Sequence, residues 1–295
     1  MILAALLLLA QAAPRPPVTS HITVISFDGT GERVIYSSPE LFEAPNWSPD
    51  GKYLLLNSRG KLWRLALDGG APVEIDARPV ERANNDHGIS PDGTLYALSA
   101  GHIYLVDAPG GPARQITHAT PSYYHGWSPD GRWLVYCASR PDNGKPNFDL
   151  YRIGIEGGRE VRLTAHAGYD DGPDYSPDGN WIYFNSDRSG SWDIWRIPPE
   201  GAGENDARAV RVTFDEYEDW FPHPSPDGRW LVFVSFAKGT KGHPANQNVV
   251  LRRMDRKTAQ IVELKKLFGG QGTINVNSWS PDSKRFAFVR YQLRD

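Results

Sequence analysis

Cysteine is almost absent from the 295 residues. Cys137 stands alone in "WLVYCAS", which excludes an internal disulfide framework and reads as a packed strand thiol rather than a nucleophile. Long apolar runs are scarce too. The opening run, Ile2 to Ala10, has nine residues, well short of the roughly 20 that cross a bilayer, so no membrane span is expected. With Ala10-Gln11-Ala12 as a small-x-small cleavage site, it predicts a signal peptide over residues 1–12 and a Pro-rich spacer over 13–20, although no Lys or Arg precedes it. Neither sign of charge dominates: 32 Lys and Arg face 35 Asp and Glu, and the net charge is -3. Without a basic footprint, nucleic acid is excluded as a partner. Amphipathic helices are missing as well; the nearest approach, Arg252 to Phe268, reads as strand, "DRKTAQ" turn and strand. There is no G-x-S-x-G elbow, H-E-x-x-H, phosphate loop or dinucleotide fingerprint.

What the chain has is turn formers, aromatics and a repeat. The 24 Pro, 29 Gly and 10 Trp suit short strands joined by tight turns. Ser-Pro-Asp occurs at Ser48, Ser90, Ser128, Ser176, Ser225 and Ser280, followed five times by Gly and once by Ser283. Each copy leads into an apolar run such as "RWLVYC" or "NWIYFN", and the first four go on to a second such as "DLYRIGI", a Gly-rich turn and a short last strand such as "EVRLT". Ser can cap amides of a type I turn, Pro presets φ, Asp tolerates the bridge region and Gly accepts positive φ. The tetrapeptide is therefore a hairpin device, and neither its Ser nor its Asp is a catalytic candidate.

Four strands per unit predict an all-β, six-bladed β-propeller of four-stranded antiparallel blades. The sixth copy ends after two strands, and two unmatched strands, "HITVISF" and "RVIYSS", precede the first. If the N-terminal strands complete the last blade, the ring closes and no sheet edge is left open. "SPDGNWIYFNSDRSGSWDIWRI" (Ser176 to Ile197), followed by "RVTF", resembles the repeat of TolB-type propellers and is similar to the propeller of the dipeptidyl peptidase family. The resemblance covers His21 to Asp295. It implies the propeller alone, without the α/β domain of TolB or the hydrolase domain of the peptidases.

In a propeller the second-to-third-strand loops and the connections between blades share one face, opposite the Ser-Pro-Asp-Gly turns. The longest insertions, Arg140 to Asp149 in blade three and Ala237 to Asn248 in blade five, belong to that face, where function tends to concentrate. The segments entering each innermost strand turn polar and aromatic there, bringing Asn85, Asp86, His87, Tyr123, Tyr124, His125, Asp170, Asp171, Glu216, Asp219, Trp220, His223, Asn275 and Asn277 to the channel mouth. Asp170, Asp171, Glu216 and Asp219 suggest a metal site or an acid/base pair for sugar chemistry, or else a hydrated acidic rim. His87, His125 and His223 suggest an imidazole triad for a divalent metal, or mere equivalence by repeat. Tyr123, Tyr124 and Trp220 suggest stacking on a sugar or peptide, or packing between blades. "DRSGSWD" (Asp187 to Asp193) lacks the length and terminal Glu of a calcium loop and reads as a hairpin tip. The expectation is an exported, periplasmic or secreted, monomeric and non-enzymatic scaffold for a protein or cell-envelope glycan ligand. No cofactor is required, and a divalent metal is left open. The alternative is a carbohydrate-active lyase or glycoside hydrolase.

Overall fold

The computed structural model describes residues 17–142 and 144–294; the segment read as a signal peptide lies outside the described residues. Five antiparallel sheets of four strands follow one another along the chain, each with its strands in sequence order. Their innermost strands are Glu43–Trp47, His87–Ile89, Ser122–Trp127, Asp170–Tyr175 and Glu218–Pro224. The sixth blade combines both ends of the chain. Arg285–Leu293 pairs along its whole length with Val18–Ser26, which pairs in turn with Arg33–Ser38. A bridge between Trp279 and Phe286 supplies the innermost rung. Ile25 stands opposite Phe286, so the ring closes as the fragments at the two ends predict. The first strand begins at Val18, inside the interval read as spacer.

Every Ser-Pro-Asp turn works in the same way. The Ser225 hydroxyl donates to Asp227 at 2.6 Å and accepts from the Trp230 amide at 2.9 Å, and the other five copies repeat this pair of bonds. The fourth position is left-handed in all six. Ser283 adopts it at φ 59° where the others have Gly, and its hydroxyl accepts from the Asp227 amide of the neighbouring turn at 2.9 Å.

The core lies between blades, because both faces of every sheet are covered by neighbours. Ile25, Phe286 and Phe288 of blade six pack with Val232, Val234 and Leu251 of blade five. On the other side, Ile22, Ala287 and Val289 pack with Leu54, Leu56 and Leu65 of blade one. Cys137 is fully buried in its strand, and its thiol donates to the Asp170 carbonyl at 3.2 Å.

The two insertions differ in kind. The one in blade three is no loop: Trp133–Asp142 and Lys145–Gly154 pair out to Asp142 and Lys145, forming a hairpin that projects from the sheet. The one in blade five leaves the ladder after Phe236 and rejoins it at Val249, after its residues from Ala245 have paired with the outermost strand. Arg252 to Phe268 forms the expected strand, turn and strand, and "DRSGSWD" is a hairpin tip between Ile182–Ser186 and Asp193–Ile197.

Candidate functional site

Two cavities enter the central channel from opposite faces, and His125 lines both. The larger, about 360 Å³, opens on the turn face, where the prolines of all six Ser-Pro-Asp motifs surround it. The smaller, about 210 Å³, opens on the face of the insertions. The predicted residues therefore do not share one mouth. Asp86, Tyr123, His125, Asp171 and Asn275 line the loop-face cavity, whereas His87, Tyr124 and Asn277 line the other.

Bulges interrupt the innermost strands of blades one, four and five. Pairing slips between Glu43 and Asn46, between Asp171 and Asp174, and between Trp220 and His223. In each slip a left-handed residue, Ala44, Gly172 or Phe221, precedes a proline. An extra residue reverses the alternation of a strand, so the side chains beyond it point elsewhere than simple counting indicates.

The remaining predicted residues are corrected by their partners. Asp170 is fully buried and accepts from Arg188 Nη2 at 2.9 and 2.8 Å. Asp219 is bound to the Ser235 hydroxyl at 2.6 Å and to Arg252 Nη1 at 3.2 Å. Burial pushes its carboxyl up to about 7. Glu216, by contrast, is on the surface beside Lys238. These three are not an acid/base pair: two are internal counter-ions and one is solvated. The imidazoles do not form a triad. His87 Nε2 is 3.4 Å from the Leu55 carbonyl, His125 Nε2 is 3.1 Å from Asp171, and His223 lies between Asp174 and the Ile274 carbonyl. Among the described residues no group of three or more His, Cys, Asp or Glu is placed to hold a metal ion. Trp220 is fully buried with its ring centroid 3.9 Å from that of Trp192, so it packs and offers no stacking face. Tyr124 is likewise buried. Asn85 contributes its carbonyl to the Asn275 carboxamide.

The loop-face cavity also contains residues the repeat does not announce. Phe148 comes from the projecting hairpin and His243 from the blade-five insertion, while Asn84, Tyr169, Phe221 and Gln271 complete the lining. The useful signal was the insertions themselves. Their length marks them as places where function concentrates, and each delivers one aromatic ring or imidazole to the cavity.

The electrostatics rest on four groups. Burial raises the Asp171 carboxyl, but its hydrogen bond with His125, the charges of His125 and His243 and the Gly172 amide together outweigh that and hold it below the ordinary value. Burial likewise opposes protonation of His125, yet Asp171 keeps the imidazole above its usual range. Burial lowers His243, whose Nε2 is 3.6 Å from Asp171, more than that carboxylate raises it. Asp86 is raised by burial. The arrangement is one imidazole–carboxyl pair, a second imidazole and a second carboxyl group beneath a partly exposed aromatic rim.

A family model described as the TolB beta propeller domain matches residues 121–267. An uncharacterized protein of Agrobacterium fabrum is 48% identical over 288 residues, 95% of this chain and 95% of its own. A solved structure from Agrobacterium tumefaciens, provisionally described as TolB, matches with TM-score 0.87 at 48% identity, covering 93% of this chain and 99% of that one. This chain belongs to the TolB-type β-propeller family. TolB from Acinetobacter baumannii matches with TM-score 0.66 at 19% identity, over 86% of this chain and 65% of its own; at that identity the likeness shows the fold alone. No helix among the described residues of this TolB-type propeller is long and apolar enough to cross a membrane.

Proposed function

We propose that this TolB-type propeller is an exported, non-enzymatic scaffold that takes up part of a protein or other cell-envelope partner at its loop-bearing face. The observation that carries this reading is the construction of the loop-face cavity. Five blades and both insertions contribute to it, whereas two of the four acidic candidates for catalysis, Asp170 and Asp219, are committed to internal arginines. Rigid strands place the lining and the insertions extend it, the usual arrangement of a recognition surface on a propeller. Export is supported by the apolar opening of the sequence and its small-x-small site.

The test is a photo-crosslinking residue at Gln271, on the loop face, compared with one at Lys257, in a turn on the opposite side. In envelope preparations Gln271 is expected to give one discrete adduct that is lost when Phe148 and His243 are replaced by Ala. Adducts that form only from Lys257 would overturn the reading. So would the release of new reducing ends from envelope oligosaccharides, which would identify an enzyme instead.

A further inference from the structure

Eight aspartates are buried among the described residues. Five sit against arginine: Asp149 with Arg162, Asp170 and Asp206 with Arg188, Asp193 with Arg211, and Asp219 with Arg252. Two sit against imidazole, Asp171 with His125 and Asp174 with His223. Asp86 is the exception. It is 4% exposed, and its hydrogen bonds come from neutral groups, Asn275 Nδ2 at 2.6 Å and the carboxamide of Asn84. A buried carboxylate is ordinarily paired with a cation, because carboxamide dipoles offset only part of the lost hydration. The one aspartate without that partner also lines the loop-face cavity.

The rest of the cavity is suited to a cation. Tyr123, Phe148 and Tyr169 are half-buried at its sides, and the rings of Phe148 and Tyr169 lie 4.5 Å apart. Aromatic faces above a carboxylate favour ammonium groups through the ring quadrupole as well as the charge. His125 is engaged directly by Asp171; its charge lowers the Asp86 carboxyl, but burial outweighs it and keeps that carboxyl raised. At about 210 Å³ the space is smaller than the roughly 300 Å³ at which sites for whole small molecules begin, so it fits the end of a side chain rather than a sugar chain.

We propose that the loop-face cavity is a receptor for an alkylammonium group, with Asp86 as its counter-ion and Tyr123, Phe148 and Tyr169 as its walls. This rests on the scaffold reading above and names what the partner presents, a lysine side chain or an N-terminal amine. Burial holds Asp86 toward its protonated form, so capture of the cation releases a proton and tightens as pH rises. The other titratable groups facing it are Asp171, His125, His243, Tyr123 and Tyr169.

Calorimetric titration of the full chain with Nα-acetyl-lysine N-methylamide and, separately, alanine amide distinguishes the two amine sources, with the norleucine analogue as the uncharged control. Saturable binding of one amine is expected, and it should weaken by about tenfold or more in Asp86→Asn. Phe148→Leu, on the projecting hairpin and outside the buried clusters, should weaken it without unfolding the protein and keeps the test decisive if Asp86→Asn misfolds. Equal binding of the norleucine analogue, or unchanged affinity in both variants, would overturn the inference. If the Gln271 adduct forms but neither amine binds, the inference fails and the scaffold reading stands. If an amine binds but adducts form only from Lys257, the scaffold reading fails alone.

Discussion

A single position in a strand decides whether a charged residue serves the channel or the interior of a blade. Asp170 and Asp171 are neighbours, but successive strand side chains point to opposite faces. Asp171 meets His125 in the channel, whereas Asp170 turns to Arg188. Arg188 also holds Asp206, so Arg188→Met should leave two buried carboxylates unpaired and lower stability by about 3–5 kcal/mol in urea denaturation. A loss under about 1 kcal/mol would show that the carboxylates simply protonate. His87 gives a test with pH. Burial lowers its pKa from 6.5 to about 4, so between those values the unfolded chain binds the proton and the folded chain does not. Its contribution is therefore complete above pH 6.5 and is lost as pH falls toward 4. His87→Gln should flatten that part of the acid limb by on the order of 3 kcal/mol; an unchanged slope between the two proteins would refute the assignment. Neither the partners of Asp170 nor the burial of His87 was legible in the sequence. Both depend on packing and pairing across strands, which leave no trace in the local sequence.

Whole elements were far more legible, because each turn carries its own chemistry. Ser-Pro-Asp marks six hairpins, and all six form with the same serine bridging the turn. Ser225→Ala removes one hydroxyl that both donates and accepts in a fully buried position, so a loss of about 1 kcal/mol is expected. Asp227→Asn retains an acceptor for the serine and should cost less. The pair of thermal melts checks the ranking, and equal losses would mean that the charge of Asp227, not the serine bridge, holds the turn. The insertions were legible only as lengths. That blade three extends its ladder to Asp142 and Lys145 while blade five loops out depends on pairing between polar residues that carry no alternation of hydrophobicity. The placement of Phe148 and His243 in the cavity therefore could not be read in advance.

At the scale of the molecule, closure depends on a strand from each end of the chain. Val18–Ser26 covers what would otherwise be the open edge of Arg285–Leu293, and its Ile22 and Val24 belong to the core shared with blade one. Closure was legible because the two terminal fragments summed to one blade, an inference from counting that needs no knowledge of side-chain contacts. The ends of the ring also meet, with the Arg294 amide donating to the Pro17 carbonyl at 3.0 Å. A permutant joining 294 to 17 and opening between Gly69 and Gly70, an exposed turn of blade one, keeps every sheet intact. It should melt within ~5 °C of the parent. Deleting 17–38 from the parent instead strips the edge strand and exposes the apolar surface of blade one, so aggregation or an unfolded far-UV spectrum is expected. Closure by the N-terminal strands would be refuted if the deleted chain stayed monomeric and cooperatively folded. Failure of the permutant alone would point instead to a folding order that needs the N-terminal strands present before blade one forms.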